Sequence, residues 1–161
     1  MRGHRIEDTL IALMIIGKNM KNMEIKGMAD FRLKHIGYIV KRITDSEKLF
    51  LSLGYKPSQM YDDNKGKKHI RFYQRGNETT IELVEPYPDN ELMMQVLRRH
   101  GNSLYHLCYE VDHFEQAKTF LNREGFILSY FTDDAIALDH KKMAFFESES
   151  LGFIEIVEGN Q

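Results

Sequence analysis

Residues 34–40 alternate: His35, Gly37 and Ile39 point to one face of a strand, and Ile36, Tyr38 and Val40 to the other. Thr44 or Asp45 then caps a helix of about ten residues with Leu49, Phe50 and Leu53 on its apolar side, and Gly54 ends it. Tyr55 to Tyr61 predicts a second strand, 62–68 a polar turn, His69 to Gln74 a third strand, and Thr79 to Glu85 a fourth. The prolines in Pro86-Tyr87-Pro88-Asp89-Asn90 break the sheet. Glu91 to Arg99 follows as a short helix with Leu92, Met93 and Val96 inward, closed by Gly101-Asn102.

The same order then recurs. Leu104 to Val111 reads as a strand, and Asp112 caps a helix to Glu124 with Phe114, Ala117, Phe120 and Leu121 inward. Phe126 to Phe131 is a strand, Thr132-Asp133-Asp134 a turn, Lys142 to Glu147 a strand, and Phe153 to Glu158 the last. The repetition extends to residues. A shift of 71 lays Leu33 on Leu104, His35 on His106, Tyr38 on Tyr109, Val40 on Val111 and Gly54 on Gly125. A shift of 73 lays Ile81-Glu82-Leu83-Val84-Glu85 on Ile154-Glu155-Ile156-Val157-Glu158. Each half therefore reads strand, helix, strand, strand, strand, and the duplication is the organising feature of the chain.

Residues 1–30 stand outside the repeat. Ile6, Leu10, Leu13 and Ile16 mark a short amphipathic helix, which would pack on the domain or on a dimer mate. Alternatively the segment reflects the choice of start site, since Met28 lies just before the repeat. The apolar run 10–16 is too short to span a bilayer, and no small-residue cleavage site follows it, so neither a membrane span nor a secretion signal is expected. Residues 31–161 read as a single domain: module one at 33–86, a linker helix region at 87–103, and module two at 104–158. A net charge of −2 gives no basic field for nucleic acid. The single cysteine, Cys108, excludes an internal disulfide framework, fits a cytoplasmic location, and reads as a small buried hydrophobe rather than a nucleophile.

The candidate chemistry comes from the alternation. His35 and His106 oppose the apolar, helix-facing residues of their strands. Glu82 opposes Ile81 and Leu83, and Glu155 opposes Ile154 and Ile156. A mid-strand carboxylate is costly to bury unless paired or ligated, and here it occurs twice at matched positions. Two imidazoles and two carboxylates suit a divalent ion, with Zn, Ni, Co, Mn and Fe(II) all compatible. Four protein donors on a six-coordinate ion leave two positions for substrate oxygens.

These residues resemble the vicinal oxygen chelate superfamily, which includes glyoxalase I, methylmalonyl-CoA epimerase, extradiol dioxygenases, and fosfomycin and bleomycin resistance proteins. The resemblance rests on His35-Ile36-Gly37, on Glu82 in Thr80-Ile81-Glu82-Leu83-Val84-Glu85-Pro86, on Leu104-Tyr105-His106-Leu107, and on Glu155 in Gly152-Phe153-Ile154-Glu155-Ile156. It implies an α+β fold in which two tandem βαβββ modules form an open mixed β-barrel around a metal, with His35, Glu82, His106 and Glu155 as ligands. The Glu85-Pro86 strand end, Arg99-His100-Gly101 and the Leu-x-His opening of module two are most similar to the methylmalonyl-CoA epimerase-like branch. Epimerases of that branch carry Gln where this chain has Glu82, and the acid they place on the third strand has no counterpart beside His69 and Arg71.

The implied activity is that of a metal-dependent isomerase or lyase stabilising an enolate of a small carbonyl or acyl-CoA substrate. Glu155 and Glu82 would act as base and conjugate acid while also ligating, with His69 a weaker candidate for the second role. A glyoxalase I-type lyase, favoured by Glu82, and a non-catalytic small-molecule binder are the alternatives. Lys65, Lys67, Lys68, Arg98, Arg99, Lys141 and Lys142 are the cations available to coenzyme A, and otherwise read as solvated surface. A homodimer is expected on family grounds.

Overall fold

The computed structural model describes residues 31–160, so the helix read at 6–16 lies outside the described residues. The first half runs β1 (Arg32–Ile39), α1 (Ile43–Ser52), β2 (Lys56–Pro57), β3 (Tyr61–Asp63), β4 (Lys68–Gln74) and β5 (Thr80–Pro86). After α2 (Glu91–His100), the second half runs β6 (Ser103–Val111), α3 (Phe114–Arg123), β7 (Ile127–Ala135), a 3-10 turn (Ile136–Leu138), β8 (Lys141–Ser148) and β9 (Gly152–Glu158).

All nine strands form one mixed sheet in the order β2-β4-β5-β1-β6-β9-β8-β7, with β3 also on β4. The sheet does not close: it ends at β2 and β7. The order is near-palindromic about the β1–β6 seam. β1 pairs with β5 in parallel and β6 with β9 in parallel, while β1 and β6 run antiparallel. This is the open α+β architecture that the family resemblance implied.

The alternation read from the sequence fixes which side each residue occupies. On the helix-covered face, Val40, Ile43, Tyr73 and Leu83 pack with Tyr38, Phe50 and Ile81. Val111, Phe114, Ala117, Leu121, Ile154 and Ile156 pack with Tyr109 in the matching cluster. On the opposite face, Cys108, Leu138, Met143, Phe145 and Val157 pack with Phe72 and Tyr105. The helix α2 adds Met93 and Leu97 against Ile39 and Val84.

Several local expectations change. In α1 only Ile43 is buried, while Leu49 and Leu53 are exposed. In α2 Leu92 is exposed, and Met93 and Leu97 face inward. Thr44 and Asp45 lie within the first turn of α1 and do not cap it; the Glu85 carboxylate accepts from the Ile43 N–H at 2.8 Å, so the cap comes from across the sheet. Asp112 holds Arg32, and His113 stands at the N-cap of α3 without a side-chain cap bond. Asn90 caps α2 through the Met93 N–H. The strand expected at 55–61 splits into β2 and β3, because Pro57 lacks a ladder donor and Ser58 accepts from the Phe72 N–H with its hydroxyl. The turn expected at 132–134 is instead a continuation of β7 with irregular register.

Candidate metal centre

The strand register brings the four candidate residues to one place. His35 and Glu82 come from the parallel pair β1–β5, where Glu82 stands opposite Gly37. His106 and Glu155 come from β6–β9, where Glu155 stands opposite Cys108. Across the seam, Gly37 is opposite His106 and Cys108 is opposite His35. The duplicated positions therefore face each other around the seam, with histidines and small residues alternating.

All four side chains are buried, with 1–4% of their surface exposed. His35 Nε2 lies 2.9 Å from Glu155 Oε2 and 3.4 Å from Glu82 Oε2. His106 Nε2 lies 3.1 Å from Glu82 Oε2 and 3.2 Å from Glu155 Oε2. The two Nε2 atoms are 3.1 Å apart. Yet Glu82 Oε2 and Glu155 Oε2 have no hydrogen-bond partner of acceptable geometry among the described residues, and neither does His106 Nδ1. Nitrogens and carboxylate oxygens are thus close without being aimed at one another, as donors directed to a shared point would be. Ligand bonds of about 2.1 Å place neighbouring donors about 3.0–3.4 Å apart, the spacing observed here. His35, Glu82 and His106 form one group able to hold a metal ion; His35, Glu155 and Cys108 form another.

Electrostatics point the same way. Burial alone would lower the His35 pKa, but the Glu82 charge and the contacts to Glu155 and Glu82 outweigh it and carry it up to about 10. His106 is raised by the same balance, with Glu155 the larger partner. Burial opposes ionisation of Glu82 and Glu155, yet the imidazoles hold both below the ordinary carboxylate range. The carboxylates demand positive charge between them, whether protons on the imidazoles or a cation.

Aromatic rings wall the centre. Phe72 lies edge-on to His35 at 5.4 Å between ring centroids, and Phe145 to His106 at 5.0 Å. In register Phe72 stands opposite Glu82 and Phe145 opposite Glu155, so the duplication extends to these rings. A narrow cavity, with about 20 Å³ of room for water-sized molecules, opens over Glu82, His106 and Glu155. Lys68, Tyr105, Tyr130, Leu138 and Met143 also line it. Burial, then the charges of Glu155 and Glu82, raise the Tyr105 pKa, so its hydroxyl stays protonated.

Other candidates are placed elsewhere. His69 faces away from the cavity, with Nδ1 2.6 Å from Asp62 and its ring against Tyr87. Of the seven cations, Lys65 and Lys68 line the cavity. Lys67 pairs with Asp89, Lys141 with Asn160 and Lys142 with Glu158, while Arg98 lines a separate groove with Lys41 and Arg42. Sequence reasoning gave Cys108 burial but no place in the site. Its thiol faces Glu155 and is pushed well up by burial and by that carboxylate. The missed signal was spacing: Cys108 is two residues from His106, hence on the same strand face.

The chain matches the model of the Glyoxalase/Bleomycin resistance protein/Dioxygenase superfamily over residues 34–145. It belongs to that superfamily. No curated protein matches it. Among solved structures, a hypothetical protein from Bacillus halodurans is 24% identical, with 81% of this chain and 96% of that chain covered at a TM-score of 0.69. Methylmalonyl-CoA epimerase from Mycobacterium tuberculosis is 17% identical, with 80% and 88% covered and a TM-score of 0.69. A variant of Streptomyces coelicolor methylmalonyl-CoA epimerase in complex with 2-nitronate-propionyl-CoA is 11% identical, with 82% and 99% covered and a TM-score of 0.71. At these identities the likeness is one of fold.

Proposed function

We propose that this protein is a metal-dependent enzyme that stabilises the enolate of a small carbonyl or acyl-CoA substrate, acting as an epimerase or lyase. The observation that carries this reading is the buried convergence of His35, Glu82, His106 and Glu155, with two carboxylate oxygens left without hydrogen-bond partners. In this reading the four side chains hold a divalent ion, and Zn, Ni, Co, Mn and Fe(II) all suit the donor set. The ion, when bound, supplies Lewis-acid polarisation of a carbonyl.

The chain's own residues do the rest. Glu155 would take the α-proton and pass it on to solvent, while Glu82, from the other module, would return one to the opposite face after taking a proton up from solvent. The protonated Tyr105 hydroxyl is a donor at the cavity wall. Phe72 and Phe145 keep water from the imidazoles, which strengthens every charge interaction inside. The solved complex of a Streptomyces coelicolor methylmalonyl-CoA epimerase variant with 2-nitronate-propionyl-CoA, similar in fold to this chain, supports an acyl-CoA substrate. A glyoxalase I-type lyase is the second reading, favoured by a carboxylate at position 82.

The test is proton NMR of methylmalonyl-CoA in D2O with purified protein, with and without EDTA. Loss of the C2 proton signal that EDTA abolishes is the expected result. A protein that binds one metal ion per chain but leaves that proton in place would exclude this substrate, and hemithioacetals would be assayed next.

A further inference from the structure

The strand register lays two rows of residues across the sheet, both on the face away from the helices. One row runs Glu82, Gly37, His106 over β5, β1 and β6. The other runs His35, Cys108, Glu155 over β1, β6 and β9. The rows are counterparts in the duplication, and they differ in the middle. Gly37 has no side chain, and the His106 ring fills the space its Cβ would take. In the second row a thiol stands between an imidazole and a carboxylate. Cys108 is wholly buried, and its Sγ, a His35 ring nitrogen and a Glu155 oxygen lie within 4.8 Å of one another. Glu155, only 3% exposed, has an Oε2 with no hydrogen-bond partner among the described residues. The rows also differ in depth. Glu82, His106 and Glu155 line the cavity, whereas His35 and Cys108 do not.

A sulfur donor changes which ion a position prefers. Thiolate selects soft ions, whereas manganese prefers carboxylate oxygen. Zinc, which is borderline, completes its tetrahedron with the four donors His35, Glu82, His106 and Glu155. We propose that His35, Cys108 and Glu155 form a second ion position, set back from the cavity, which takes soft divalent ions such as cadmium and withdraws them from Glu82 and His106. Cys108 releases its thiol proton to solvent as Sγ bonds the ion. The thiolate and the Glu155 carboxylate then balance the ion's two positive charges, as a buried place requires. Glu82 keeps His106 as its partner at 3.1 Å. His35 and Glu155 belong to both positions, so a chain holds an ion in one or the other. The centre thus sorts ions by softness: zinc and harder ions stay at the cavity, and soft ones are held out of a substrate's reach. This inference rests on the metal-dependent reading above and adds to it which ions can meet the substrate.

The test titrates the full chain with cadmium(II) and, separately, with manganese(II). Cys108 is the single cysteine of the chain, so an ultraviolet sulfur-to-cadmium charge-transfer band reports this thiol alone. That band, saturating at one cadmium per chain, is the expected result. Cys108→Ser should abolish it and weaken cadmium binding by about ten- to a hundred-fold, with manganese affinity kept within about threefold. His106→Ala should do the reverse, weakening manganese binding by a similar factor of about ten- to a hundred-fold while the cadmium band persists. Thermal midpoints establish that both variants fold; should Cys108→Ser not fold, the band in the wild type and in His106→Ala still decides. One cadmium bound without the band, loss of the band in His106→Ala, or equal losses for both ions in Cys108→Ser would overturn this inference alone. A wild-type protein that binds neither ion would overturn the metal-dependent reading and this inference with it.

Discussion

Gly37 is the position at which a single methyl group should dismantle the centre. It lies opposite His106 across the β1–β6 seam, and the imidazole lies over the space a side chain would fill. A Cβ built on Gly37 falls 2.5 Å from His106 Nδ1 and 2.6 Å from Nε2, with Cε1 nearer still. Ordinary contact begins at 3.4 Å, so the ring must retreat by about 1 Å. The neighbours behind it, Phe145 and Tyr105, are themselves packed against His106, which leaves little room to retreat. A nitrogen displaced by about 1 Å no longer fits a bond of about 2.1 Å, so Gly37→Ala should lose one donor of four. We expect metal affinity to fall by at least about a hundred-fold, with a stability loss of about 1–3 kcal/mol from overpacking. The assay is a chelator-competition titration with zinc on wild type, Gly37→Ala, His106→Ala and the double variant. Because the clash needs both partners, Gly37→Ala should cost almost nothing further once His106 is alanine. Wild-type zinc affinity in Gly37→Ala, or additive losses in the double variant, would refute the reasoning.

Three further outcomes are expected. His35 is held protonated up to about pH 10, so metal uptake at pH 7 should release at least one proton per ion, read from the buffer dependence of the binding enthalpy; uptake without proton release would contradict the assignment. In the chelator-stripped protein, the raised His35 pKa contributes stability that is complete below about 6.5 and lost as pH rises through about 10, whereas the lowered Glu82 pKa contributes stability above about 4.5 that is lost on acidification. Its thermal midpoint should therefore be highest between about pH 4.5 and 6.5 and fall on the alkaline side, where a rising midpoint would show the histidine pairing to be unimportant. Glu47 accepts from both the part-exposed Arg71, at 3.0 Å, and the buried Tyr73 hydroxyl, at 2.7 Å, so Glu47→Ala strands one buried donor and should cost about 1–3 kcal/mol by urea denaturation, against a negligible effect at the exposed Glu124.

The centre was legible in the sequence because it is made from short-range periodicity applied twice. Strand alternation put His35, Glu82, His106 and Glu155 on the face away from the helices, and the matched spacing of the halves brought them together. What sequence did not disclose depends on pairing between distant segments. Lys68 looked like one more lysine in a polar turn. Its burial arises because β3 and β4 fold over the cavity against the 3-10 turn at Ile136–Leu138, some seventy residues away. Leu49 and Leu53 have helical spacing, yet α1 lies on the sheet through Ile43 and Phe50 instead. Capping went astray where the sequence offered a local acceptor and the fold supplied a remote one, as Glu85 does for Ile43.

The near-palindromic order of the sheet bears on how such a centre can arise and change. One half pairing with an identical copy through its first strand would already assemble two histidines and two glutamates about a twofold axis. Identical halves, however, must carry the same residue at every matched position. In one chain they need not: glycine stands at 37 where cysteine stands at 108, and the buried Lys68 matches Lys141, which reaches out to Asn160. Fusion into a single chain is what permits the two His–Glu pairs to stay symmetric while the approach to them becomes one-sided, so that the cavity acquires a fixed left and right.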